Sequence, residues 1–509
     1  MALPGVIGNF AEPKMLLLLL LSFVVLYACA ILYQSYAHKI PANSPAQVDD
    51  DLPITGASGW FTRRWDWCQE KRDQSKTGNF SFHAGPRLVV GLCGEKGRRT
   101  FLESKGLSFT KGYDILFGGG PNASTRRLET KSDPDLTPWF NRQIVNLLKG
   151  EHLRNRLAIL TSDTKDGIKA IKQDPSGRTD PFTSIYHIVF RLTIRTLGAN
   201  EIVEDESLLE AFSKNFEIID KSSNATTIRF PKFPSPSLLK RYFAGAQLYA
   251  LVAKIIKTRA KTGKKHDDAL QFLQGQGGST FDIVRFILAA LFAGVLNSGI
   301  NAAWVMVYLA TSPEWQARVR DEVRGVAAKY AKDPNMTLAR QLEDIPLEAW
   351  ESEFPIIEMC LRDSIRLGAA SNLFRRNISG KPIPIGTDNE VIPPGAVVIY
   401  PTGDTHFDPK IYPDPFKWDP SRYLPEHAQG TKAAHDFLAW GSGRHPCLGM
   451  RFAKLQQNLI TAYFVANFDF DLEDKQGNKL TTPPTVNVNN HFPYRPVSSH
   501  FIRLKPKDK

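Results

Sequence analysis

Apolar and polar residues follow several rhythms along this chain. Residues 15–33 form a run of nineteen without a charge, and at about 1.5 Å per residue such a helix is roughly 28 Å long, close to a bilayer's hydrocarbon thickness. Across residues 138–376 apolar positions recur at three and four, which predicts a mostly helical stretch containing one long apolar helix over 281–309. Residues 391–400, Val-Ile-Pro-Pro-Gly-Ala-Val-Val-Ile-Tyr, break that rhythm and read as two short strands joined at Pro394-Gly395. Proline and tryptophan are dense over 409–425, so an ordered but irregular meander is expected there. The helical pattern resumes at Met450–Asn467, while 118–122 and 233–236 read as surface loops. The sum is a mainly α chain with a small β portion and no internal repeat.

Residues 15–33 are therefore expected to be a transmembrane anchor, between a short segment 1–14 and a linker 34–55 stiffened by Pro41 and Pro45, with one catalytic body over 56–509. The apolar run exceeds that of a cleaved signal peptide, and no convincing small-x-small site follows it. Lys14 before the run and His38-Lys39 after it do not fix orientation by charge.

Composition changes little. A chain of 509 residues, 42% apolar and 23% charged, has material for a large core. Its 64 Lys and Arg against 52 Asp and Glu leave +12, which favours acidic partners or an anionic membrane surface. No basic block or basic–aromatic stripe points to nucleic acid. Cys29, Cys68, Cys93, Cys360 and Cys447 are too scattered for a disulfide framework or zinc, which suits a reducing compartment.

Cys447 stands apart, in Trp440-Gly-Ser-Gly443-Arg-His445-Pro-Cys447-Leu-Gly449. A metal-ligating thiolate needs backbone N–H groups aimed at its sulfur; glycines let the chain turn tightly enough to aim them, and a following helix N-terminus adds positive potential. Haem iron with an axial thiolate is the obvious candidate. The loop resembles the cysteine loop of the cytochrome P450 family, with an aromatic seven before the cysteine, glycine four before, a basic residue two before and glycine two after. Trp440, Gly443, His445 and Gly449 fill those places, tryptophan replacing the usual phenylalanine.

The resemblance, which covers roughly residues 137–509, implies a prism-shaped domain that binds haem b through Cys447. It also implies an ion network behind the loop, usually Glu-x-x-Arg plus an arginine from the meander. Asp363 and Arg366 stand at the pair, aspartate replacing glutamate, and Arg422 in Phe416-Lys-Trp418-Asp-Pro420-Ser-Arg422-Tyr423 is the plausible partner. Glu358 is out of phase with Arg366 and could pair with Arg362. His445 and Arg375, or Arg376 in its place, match propionate partners. The family's early Trp/Arg pair has no clean match: Trp139 and Arg142 are three apart, with Arg154 and Arg156 as alternatives.

On the long apolar helix the family usually carries Ala/Gly-Gly-x-acid-Thr-Thr. Ala293 and Gly294 match and are expected to open a groove for dioxygen, whereas Leu296 stands in for the acid and Asn297 for the threonine. Acid and hydroxyl normally relay protons for O–O cleavage; an amide orients water but does not readily exchange a proton. Asn297, Ser298 and Trp304 resemble the subgroup of prostacyclin synthase and the bile-acid sterol hydroxylases.

Three functions are compatible with these residues. The first is a monooxygenase of secondary metabolism, resembling fungal members, anchored in the endoplasmic reticulum membrane by one span with a cytosolic body. It acts on a lipophilic, terpenoid or steroid-like molecule, with electrons from NADPH through a reductase and cytochrome b5 as a further donor. Arg444, His445, Arg451 and Lys454 would form its positive docking face, Asn297 and Ser298 would manage protons, and the Asn-x-Ser/Thr sites at Asn79, Asn122, Asn224, Asn335 and Asn377 would stay unglycosylated. The second is a reductase-independent isomerase or dehydratase of a peroxide or pre-oxidised substrate. The third is a non-catalytic haem-binding membrane protein.

Overall fold

The long apolar run folds as one helix, Thr280–Thr311, capped by a reciprocal pair in which Ser279 Oγ accepts from Asp282 N and Asp282 accepts from Ser279 N, each at 3.2 Å. Its second half is buried on every side from Gly299 to Ala310, which makes it the axis of the core rather than a surface helix. The computed structural model describes residues 17–18, 21–26, 28–29, 40–52, 55–116, 137–231, 233–368, 371–429, 433–490, 495–496 and 498–507. The predicted 118–122 loop and nine of the nineteen anchor residues lie outside them; the described anchor residues are helical with exposed side chains. Thr280–Thr311 is itself long and apolar enough to cross a bilayer, but half of its most apolar window is buried in the body.

The helices that frame the site are α1 Thr137–Leu147, α2 Gly150–Lys172, α3 Pro181–Leu197, α4 Pro236–Thr262, α5 Thr280–Thr311, α6 Pro355–Gly368 and α7 Met450–Asn467. Helix α3 starts where Asp180 accepts from Phe182 N at 2.9 Å with Pro181 in the first turn. It crosses α5 closely because α5 presents glycine there: a Cβ on Gly299 would lie 2.7 Å from the Tyr186 ring. Trp304, Tyr308 and Trp418 stack in sequence, Phe182 meets Trp304 edge-on, centroids lie 5.0–5.4 Å apart, and Trp418 Nε1 donates to Ser364 Oγ at 3.0 Å. Each such ring pair contributes about 0.5–1.5 kcal/mol beyond area burial. The stack ties the meander to α5 and α6.

The body is mainly helical with a small β portion, as expected, but the strands pair differently from the local pattern. Strands β1 Phe80–Ala84, β2 Arg87–Gly91, β3 Leu107–Ser108, β4 Asn372–Asn377, β5 Ile383–Pro384, β6 Val391–Ile392 and β7 Val397–Pro401 include a five-stranded sheet in the order β1-β2-β7-β4-β3. The helical reading of 138–376 therefore ends at Gly368, since β4 holds Arg375 and Arg376. The two strands around Pro394-Gly395 exist but are not a hairpin: β6 pairs with β5, and β7 pairs with β4 and β2. Gly395 makes the intervening turn at φ +77°. Strand partners depend on distant chain, so a ten-residue pattern does not specify them. The meander is irregular as expected, with one 3-10 turn at Pro420–Tyr423.

Candidate active site

The Cys447 loop is folded by its glycines. Gly441 and Gly443 have φ of +69° and +63°; a Cβ on Gly441 would lie 2.3 Å from His445 O, and one on Gly443 would lie 2.5 Å from Leu102 O. Side chains are thus excluded at both positions by backbone and by space. Cys447 N donates to Trp440 O at 2.6 Å, closing the loop, and Gly449 is the N-cap of α7. Burial raises the Cys447 thiol above its ordinary value, while the N–H groups of Gly449 and Met450 pull it down. Those donors are what a metal thiolate requires, and coordination to a cation removes the remaining proton.

Behind the loop the ion network assembles. Arg366 Nε donates to Asp363 Oδ1 at 2.7 Å, with both side chains fully buried, and Arg422 Nε lies 3.9 Å from the same oxygen. Asp363 also accepts from Asp419 N at 2.7 Å and Tyr423 Oη at 3.1 Å. Burial opposes the charge of Arg366, but Asp363 outweighs it and the pKa is raised. The two arginines hold the meander through its carbonyls: Arg366 donates to Lys417 O at 3.0 Å and Arg422 to Asp414 O at 2.8 Å.

A further link, which no local pattern in the chain signals, passes from the network to the cysteine loop. Arg366 Nη1 donates to His406 O at 3.0 Å, and His406 Nε2 accepts from Leu438 N, also at 3.0 Å, just before the loop. Burial lowers His406 to about 3, so its imidazole stays neutral.

Arg375 and His445 lie together on the other side of the loop. Arg375 is 3% exposed, its guanidinium lies 4.9 Å from both the Phe101 and Phe109 rings, and its Nε has no partner. Burial lowers it to about 10, and no carboxylate pairs with it among the described residues. His445 stacks on Phe109 at 5.7 Å, and desolvation together with Arg375 and Arg444 lowers it to about 4. An uncompensated buried cation beside a neutral imidazole calls for an anion. A haem fits: carboxylates for Arg375 and His445, and iron for Cys447. Arg376 points outward and donates to Gly395 O, so Arg375 is the residue turned inward.

The helix above places Ala293 and Asn297 one turn apart on the exposed side facing the site. Asn297 Nδ2 donates to Ala293 O at 2.9 Å. Gly294 does not face the groove: a Cβ there would point at Thr193 of α3, 3.7 Å away. Ser298 lines a small cavity with Asn297, Trp440 and residues of α7.

Other expectations change. Glu358 pairs with Lys454, not Arg362, and Arg451 pairs with Glu351, each at 2.5 Å. With His445 neutral, Arg444 alone of the expected positive face is exposed and unpaired among the described residues. Arg142 is exposed, Arg154 pairs with Glu348 and Arg156 donates to Thr196 O. The position four after Trp139 is Gln143, buried with Oε1 unpartnered. Asn79 and Asn377 are buried and hydrogen-bonded, which closes them to glycosylation in the folded body.

A family model described as Cytochrome P450 matches residues 68–494, extending the resemblance upstream of residue 137. The chain is 32% identical over 467 residues to cytochrome P450 monooxygenase AacuE of Aspergillus aculeatus, covering 91% of this chain and 93% of that one. It is 35% identical over 498 residues to cytochrome P450 monooxygenase nsrP of Aspergillus novofumigatus, covering 96% and 95%. A solved structure of retinoic acid bound cyanobacterial CYP120A1 superimposes with a TM-score of 0.69 at 20% identity, covering 91% of this chain and 99% of that one.

Proposed function

The chain belongs to the cytochrome P450 family, and on that footing we propose a membrane-anchored monooxygenase of secondary metabolism that oxygenates a lipophilic, terpenoid or steroid-like molecule with electrons from NADPH through a reductase. One oxygen atom enters the substrate and the other leaves as water; two electrons and two protons are consumed. Bound haem supplies the iron at which dioxygen is reduced. Cys447 would hold that iron as thiolate, Arg375 and His445 would hold the propionates, and the Asp363, Arg366 and Arg422 network would keep the loop in place through His406. The observation that carries the reading is the glycine-framed thiol beside a buried guanidinium that lacks an anion.

Membrane attachment is supported by the apolar run 15–33 and by exposed Phe233, Leu239 and Phe243, at 59%, 58% and 66%, on and just before α4. The net charge of +12 favours an acidic flavoprotein partner, though the local positive face is reduced to Arg444. A second reading, rearrangement of a peroxide without a reductase, is favoured by one contact: Asn297 gives one N–H to its own helix, which ties the amide to Ala293 O, and Leu296 leaves no acid beside it.

Product analysis after co-expression with an NADPH-dependent reductase decides between them. The monooxygenase reading expects strict dependence on NADPH and one labelled oxygen from labelled dioxygen in the product. Turnover of a hydroperoxide by purified protein without NADPH, with no labelled product, overturns it.

A further inference from the structure

Glu103, His435 and Ser442 form a chain of contacts that the oxygenation does not use. Glu103 ends the helix Gly94–Glu103, and its Oε1 lies 2.9 Å from His435 Nε2, while His435 Nδ1 lies 2.5 Å from Ser442 Oγ. A carboxylate only accepts, so Nε2 carries the proton of the neutral ring, and Nδ1 is left as the acceptor facing the serine hydroxyl. The His435 side chain is 10% exposed, Ser442 is half-buried and Glu103 is open to solvent. Ser442 Oγ has no other hydrogen-bond partner among the described residues. The backbone is bent to make the array: His435 sits at φ +67°, a left-handed conformation that strains a residue with a side chain and persists only where its surroundings hold it.

Ser442 also lies where the chain leaves backbone donors free. Gly441 and Gly443 on either side are left-handed, and the N–H groups of Ser442 and Gly443 donate to no described residue, whereas Arg444 N donates to Leu102 O at 3.2 Å. A nucleophile's own N–H and that of the residue after it are donors that serve an oxyanion in serine hydrolysis. A hydroxyl, a base oriented by a carboxylate, and two free N–H groups are the parts that acyl transfer needs. Leu102 O closes in on Gly443, 2.5 Å from where a Cβ would lie, which leaves room for a short acyl chain rather than a bulky one.

We propose that Ser442, His435 and Glu103 constitute a second active site, an esterase centre that hydrolyses short acyl esters. The inference goes beyond the oxygenation and does not depend on it. Ser442 Oγ attacks the carbonyl carbon while its proton passes to His435 Nδ1, and Glu103 holds the resulting imidazolium. The oxyanion takes the N–H groups of Ser442 and Gly443. The C–O bond to the alcohol breaks as His435 returns the proton to the leaving oxygen, and water repeats the cycle on the acyl-serine. Ester and water thus give carboxylic acid and alcohol, and the protein is regenerated.

The test uses the full-length haem-loaded protein, in which Cys447 is engaged and removed as a competing nucleophile. Expected is a fluorophosphonate adduct mapped by mass spectrometry to Ser442. Release of nitrophenolate from para-nitrophenyl acetate should fall at least about tenfold in Ser442→Ala and in His435→Asn, an exchange that tolerates the left-handed backbone. Glu103→Gln, which keeps an acceptor without the charge, should lose less. Unchanged carbon-monoxide spectra establish that the loop is intact in each variant. Should Ser442→Ala fail to take up haem, the adduct on the parent protein and the rate in Glu103→Gln decide. No adduct on Ser442, or nitrophenolate release at the parent rate in Ser442→Ala, overturns the inference and leaves the array as a fastening of the loop. The oxygenation reading is untouched by either outcome.

Discussion

Arg375 carries opposite consequences for the protein with and without its cofactor. Buried against Phe101 and Phe109 with no carboxylate near, it costs stability in the haem-free chain. Once an anion is bound, the same residue makes a charge-assisted hydrogen bond of about 1.5–3 kcal/mol. Arg375→Leu should therefore leave the haem-free protein as stable as the parent or more so, and release haem at least about tenfold faster, measured by transfer to an acceptor globin. Arg376→Leu, on the exposed side of the same strand, should change neither. Equal haem retention in Arg375→Leu would remove the residue from the site. His445 adds a pH signature: its folded pKa of about 4 lies below the ordinary 6.5, so the haem-free body loses stability as pH falls through that interval. An anion bound beside it should lift its pKa and shrink that loss.

Asp363 is the point on which a helix, the meander and the cysteine loop converge. Asp363→Ala leaves Arg366 and Arg422 buried without their carboxylate, and should cost about 3–5 kcal/mol in denaturant unfolding, with haem content falling in step. His406, packed between Arg366 and Leu438, gives this assembly an acid limit. Its folded pKa of about 3 lies below the unfolded 6.5, so the unfolded chain binds more protons and stability falls as pH drops from 6.5 towards 3, by about 1.4 kcal/mol per unit from this group. His406→Gln, neutral throughout, should flatten that part of the pH profile; an unchanged slope would refute the assignment. The pairing of Asp363 with Arg366 was legible in the sequence because it is local, three residues on one helix. The Cys447 frame was legible because turn chemistry admits so few residues. Residues 372–377 were not, since Leu373 and Phe374 continue an apolar pattern that fits helix or strand, and only the pleat separates Arg375 from Arg376. The partners of Arg451 and Lys454, and the His406 link, join segments far apart in the chain, which no local pattern encodes.

At the scale of the molecule, a helical body carries its reactive cysteine just before α7, and among the described residues apolar side chains are exposed on the anchor and on and before α4. Deletion of residues 1–39 should leave a body that still binds haem and still associates weakly with anionic vesicles in co-sedimentation, because Phe233, Leu239 and Phe243 remain exposed. Phe243→Ser in that background should reduce the residual binding; a truncated body wholly in the supernatant would confine attachment to the anchor. The proposed activity depends on the thiolate of Cys447. The most direct test is the absorption spectrum of the reduced protein under carbon monoxide: the account predicts the band typical of thiolate-ligated haem in the parent and its loss in Cys447→Ser. A parent spectrum of the histidine-ligated type, or a thiolate band that survives in Cys447→Ser, would contradict it.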